Sequence, residues 1–188
     1  MSTVLIIVLI VVVVVAVAAA VVFLGPGRGR VGGGGLKRRF GPEYERVLAR
    51  HGGDAQAAEH ELNERVKRYG GFRPRELPRE RHESYVAHWA GVQEQFVDSP
   101  QKAVAEADRL LSAVAVERGY PDGETEQFEA LSVHHATHLD GFRRVRSAAR
   151  GDGGTEEMRE AVVEARALFE ALVTDPRPLG RHTKGSGV

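Results

Sequence analysis

The residues best suited by type to chemistry are three histidines in the segment His134-His135-Ala136-Thr137-His138-Leu139-Asp140. If this segment is helical, His134 and His138 fall at i and i+4 on one face, as two metal ligands would. A protein metal site takes three or four ligands, and Asp140 falls on a different face. The pair is therefore a weak metal candidate. The competing reading is a hydrogen-bonded structural histidine one turn past Leu131, since two-ligand spacings are common by accident. Other helical metal patterns fail in detail. The second histidine of HExxH is replaced by Glu64 after His60-Glu61 and by Val86 after His82-Glu83. None of the eight histidines follows a glutamate by three residues, which removes the di-iron bundle pattern.

Carboxylates gather at Glu124, Glu126 and Glu129 and again at Glu156, Glu157 and Glu160. Both groups begin expected helices, where acids complement the helix dipole. A catalytic pair needs burial to separate its pKa values, and these positions read as exposed. No serine sits in a GxSxG elbow, and the nearest bases to Ser132 are the clustered histidines. With no recognised constellation, the expectation is no catalytic residue, no cofactor and no enzyme activity. The absence of cysteine excludes disulfides, thiolate metal sites and cysteine nucleophiles.

The elements that position these residues begin with an anchor. Val4–Leu24 is an unbroken run of 21 apolar residues. As a helix it spans about 31 Å, matching the hydrocarbon core of a bilayer. A cleaved signal peptide needs a charged n-region and a shorter apolar stretch. Here only Met-Ser-Thr precedes the run, although Ala16-Val17-Ala18 and Ala18-Ala19-Ala20 offer small-residue cleavage elements. An uncleaved transmembrane helix is the preferred reading. Arg28, Arg30, Lys37, Arg38 and Arg39 follow the run, and no charged side chain precedes it. The positive-inside rule places the N-terminus outside and the rest of the chain in the cytoplasm. These five basic residues flank the membrane, and residues 25–40 read as a glycine-rich, basic linker. Glycines without a preceding strand or a GxxxxGK[ST] spacing do not make a phosphate loop.

From residue 41 the apolar spacing is helical throughout. Tyr44, Val47 and Leu48 share a face. Asp54 is a good N-cap for a helix that carries Ala58, Leu62, Val66 and Tyr69 inward and stops at Gly70-Gly71. Phe72–Leu77, with Pro74, is a connector. A helix from about Pro78 to Val97 carries Tyr85, Trp89, Val92 and Phe96 as a core-facing stripe. Ser99 and Pro100 suit the N-cap and N1 positions of the next helix, which ends at Gly119. Residues 124–150 form one broken helix or two short ones, with Phe128, Leu131, Leu139, Phe142 and Val145 inward. Thr155 caps a last helix with Met158, Val162, Ala165, Phe169 and Leu172 inward, and 174–188 is a disordered tail. The expected fold is an all-α bundle of about five or six helices over residues 41–173.

Charge narrows the partners. The chain is neutral overall, but residues 41–173 carry 18 basic against 25 acidic residues, a net of −7. An acidic body argues against nucleic-acid binding. Only four of the basic residues are lysine, and the abundance of Arg, Ala, Gly and Val reads as GC-rich codon usage.

The stretch His88–Leu111 (HWAGVQEQFVDSPQKAVAEADRLL), with Arg118–Pro121 (RGYP) and Glu129–His135 (EALSVHH), resembles a family of uncharacterised membrane-anchored proteins of actinobacterial-type, high-GC bacteria. The resemblance covers roughly Leu36–Val173. It implies the same layout of single-pass anchor plus helical domain. The family has no assigned activity, so no site residue is carried over. The sequence thus leads to a membrane-tethered helical interaction or scaffold domain at the inner face of the plasma membrane. Its expected partners are the lipid bilayer and a protein of unknown identity. The alternatives are a metal-dependent module or enzyme using His134, His135 and His138, and an extracytoplasmic domain behind a signal sequence.

Overall fold

A computed structural model describes residues 33–174. The apolar run Val4–Leu24, Arg28, Arg30 and the tail beyond Thr174 lie outside the described residues. Among those described, every element is helical: α1 (Gly33–Phe40), α2 (Pro42–Arg50), α3 (Ala55–Tyr69), α4 (Arg79–Asp98), α5 (Pro100–Glu117), α6 (Glu124–His134), a 3-10 turn at Ala136–His138, α7 (Leu139–Ala149) and α8 (Thr155–Val173). No strand occurs among them, so the all-α expectation holds for this part of the chain. None of these helices is long and apolar enough to cross a membrane.

Residues 33–40 do not continue the linker. They form α1, with Leu36 and Phe40 fully buried against Tyr44, Val47, Ala58, Leu62 and Val133. Two apolar residues one turn apart suffice to dock this short helix, and that burial outweighs the poor helix propensity of Gly33–Gly35. The chain then reverses at Gly41, whose φ of 51° favours a residue without Cβ.

The remaining caps follow local chemistry. The Asp54 carboxylate accepts from the amides of Gln56 (2.9 Å) and Ala57 (3.1 Å), fixing the start of α3. The end of α5 is a Schellman motif. Gly119 takes φ 93°, its N–H donates to Val116 O, and the Tyr120 N–H donates to Ala115 O. This seats the Tyr120 ring in the interior, 3 % exposed. At α8 the cap is Gly154 rather than Thr155, and the Glu157 carboxylate accepts from the Gly154 N–H at 3.0 Å.

Two apolar clusters result. The larger is built by α4, α5, α7 and α8, with α5 packed on each of the other three. Trp89 stacks on Phe169 at 4.7 Å between ring centroids. The α7–α8 crossing is close enough that a Cβ on Gly141 would lie 2.4 Å from the backbone of Glu164 and Ala165. The smaller cluster is formed by α1, α2 and α3. Helix α6 joins the two, sending Leu131 to the larger and Val133 to the smaller. Of the expected stripe on α4, Tyr85, Trp89 and Val92 are buried, whereas Phe96 is half-buried at the margin.

Candidate functional site

The break between α6 and α7 decides the fate of the histidines. Helix α6 stops at His134, and His135 leaves the helical region with φ −132° and ψ 35°. His134 and His138 are therefore not an i, i+4 pair on one helix. The Nε2–H of His134 donates to the Tyr69 carbonyl at 2.8 Å, and the ring meets Phe72 edge-on at 5.9 Å. His135 Nε2 lies 3.0 Å from the Tyr120 hydroxyl. Burial, reinforced by the neighbouring His134, His138 and Arg118, holds the His135 pKa down to about 4. Burial pushes the Tyr120 phenol up to about 12. These hydrogen bonds tie the His134 and His135 rings into the fold. Among the described residues no three His, Asp or Glu side chains are grouped to hold a metal ion.

The densest polar chemistry lies elsewhere, where α2, α3, α6 and α7 meet. Glu43 is 1 % exposed and accepts from two arginines. Arg65 Nη1 donates to its Oε1 at 3.1 Å, and Arg143 Nη2 donates to its Oε2. Arg65 also donates to Ser132 Oγ (3.2 Å) and to Glu61 (2.6 Å). Ser132 in turn donates to the Glu129 carbonyl at 2.6 Å. Its hydroxyl is thus consumed by structure rather than presented as a nucleophile. Burial alone would raise the Glu61 pKa, but the hydrogen bond from His51 and the charges of Arg65 and Arg50 outweigh it and hold the carboxyl below its usual range. Burial weakens the charged form of Arg143 and lowers its pKa, against the opposing pull of Glu43.

This network forms one wall of an open cleft of about 480 Å³. Five arginines line it: Arg50, Arg65, Arg143, Arg146 and Arg150. Three glutamates, Glu43, Glu124 and Glu129, face them. Arg143 lies over the Phe128 ring at 4.1 Å, and Phe128 stacks on Phe142. Arg146 is held by Asp108 and Ser112, each at 3.0 Å, and Arg150 pairs with Glu124. Three buried N–H groups of these arginines have no hydrogen-bond acceptor among the described residues: Arg65 Nε, Arg143 Nε and Arg146 Nη1. The last lies 3.6 Å from Glu124, within ion-pair but not hydrogen-bond distance. Leaving a buried donor unpaired costs about 1–3 kcal/mol, so the cleft is short of acceptors.

No family model, curated protein or solved structure matches the chain. The site is thus defined by its own geometry. Lys37, Arg38 and Arg39, placed by their flanking position in the linker, lie on the exposed face of α1, and Lys37 pairs with Glu45 at 2.6 Å. Of the glutamates at helix starts, Glu124 and Glu129 line the cleft, Glu157 caps α8, and Glu156 pairs with exposed Arg159. The cleft itself had a local trace in the sequence. Arg143, Arg146 and Arg150 recur at i, i+3 and i+7, the spacing of one helix face. Composition alone attributes these arginines to codon usage and conceals the stripe.

Proposed function

We propose that the chain is a membrane-tethered, non-enzymatic interaction module held at the inner face of the plasma membrane by Val4–Leu24. The observation that supports this most is the placement of α1. The helical body begins eight residues after the apolar run, and α1 buries Leu36 and Phe40 while keeping Lys37, Arg38 and Arg39 exposed. The basic cluster is then part of a folded surface that lies close in sequence to the apolar run. Exposed basic residues there favour an anionic leaflet, at about 1 kcal/mol each near the surface. The interior polar groups point the same way. Ser132, His134 and His135 are each engaged in the fold, which favours binding over catalysis. The resemblance of His88–Leu111 to membrane-anchored proteins is consistent with the same layout.

The test is topology, with reporters fused at Val188, one active only outside the cytoplasm and one fluorescent only inside. A cytoplasmic C-terminus is expected. An external C-terminus overturns the inner-face assignment and moves the module to the cell envelope. Crosslinking in intact membranes then identifies the protein partner, and recovery of no specific partner counts against a scaffold role.

A further inference from the structure

We infer that the cleft between α2, α3, α6 and α7 is a binding site for a compact phosphate-bearing anion. The lining carries five guanidinium groups against three carboxylates, and Glu61 and Asp108 pair with Arg50, Arg65 and Arg146 from just outside it. It sits within a body whose net charge is −7. An arginine-rich cleft in an acidic body selects for small, concentrated negative charge and against extended polyanions, which the surrounding surface repels. Arginine presents planar forks that match phosphate oxygens, and buried N–H groups on Arg65, Arg143 and Arg146 have no acceptor among the described residues. At about 480 Å³ the cleft falls within the range of small-ligand sites. The Phe128 face is already covered by Arg143, so recognition is polar rather than by ring stacking.

Positioning comes from the buried end and capture from the rim. Glu43 and Asp108 hold Arg65, Arg143 and Arg146 in place. Arg50 and Arg150, about 60 % exposed, can turn from their surface partners Glu61 and Glu124 toward an incoming ligand. The same phosphate chemistry is offered by a free phosphorylated compound or by a lipid phosphate headgroup.

The experiment titrates pyrophosphate into the full chain held in phosphatidylcholine nanodiscs, followed by calorimetry. One saturable site per chain is expected, weakening as salt rises. The doubly substituted Arg50→Gln/Arg150→Gln chain is expected to bind at least about tenfold more weakly. Arg144→Gln is expected to bind as the parent does, because Arg144 faces Glu160 and Glu164 on the other side of α7. Matching thermal melts establish that the variants fold. Suppression of pyrophosphate binding in nanodiscs containing phosphatidic acid assigns the site to a lipid headgroup, and undiminished binding assigns it to a free phosphate. Absence of saturable binding in the parent, or equal loss in Arg144→Gln, overturns the inference.

Discussion

Replacing Glu43 by Gln tests whether the ionic cluster beneath the cleft holds the two halves of the body together. The carboxylate is 1 % exposed and is shared by Arg65 from α3 and Arg143 from α7. Gln keeps the shape but removes the charge, and one of its two terminal atoms becomes a donor facing a guanidinium. Arg65 is 6 % exposed and keeps Glu61 as a second partner, whereas Arg143 is about one-third exposed and has no second hydrogen-bonded carboxylate. Removing one member of a fully buried pair costs about 3–5 kcal/mol; the partner kept by Arg65 and the solvent reached by Arg143 reduce this to about 1–3 kcal/mol. For a folded body of this size that lowers the melting temperature on the order of 10 °C. The assay is thermal unfolding followed by circular dichroism at 222 nm. The control is Glu156→Gln, whose partner Arg159 is half-exposed, and it should leave the midpoint unchanged. A Glu43→Gln midpoint as high as that of the control would refute the reasoning and reduce the network to ornament on an apolar fold.

Two further outcomes follow from the same structure. Leu36→Ala should destabilise the body by about 2–5 kcal/mol, the cost of emptying a fully buried leucine site; if residues 33–40 were a linker, denaturant unfolding would not change. His135 should make stability pH-dependent, because its folded pKa of about 4 lies below its ordinary 6.5. The unfolded chain takes up the proton first, so stability is complete above about pH 6.5 and falls as pH drops toward 4. The loss attributable to this residue is up to about 3 kcal/mol, and His135→Gln should flatten that part of the urea-midpoint profile.

Helix periodicity made most of the body legible. The Tyr85–Trp89–Val92 stripe, the Asp54 cap and the Gly119 stop all depend on neighbours within one or two turns, which is the range over which sequence carries structure. Helix α1 escaped because its glycines and charges describe a linker, and its stability comes from Leu36 and Phe40 meeting residues up to Val133. The histidine pair failed for a related reason. Its i, i+4 spacing presupposed a helix that ends at His134. Glu43 lies in the first turn of α2, where an acid is ordinary. Its burial is set by Arg143, a hundred positions away, and no local pattern reports a pairing at that distance.

The docking of α1 also shortens the leash. Between Leu24 and Gly33 only eight residues remain, and covalent geometry limits them to about 29 Å at full stretch. If Val4–Leu24 is anchored as proposed, the body cannot leave a thin layer beside the bilayer. Confinement of that kind raises effective concentration toward the millimolar range. A ligand or partner residing in the same layer would then be held by contacts too weak to matter in bulk solution.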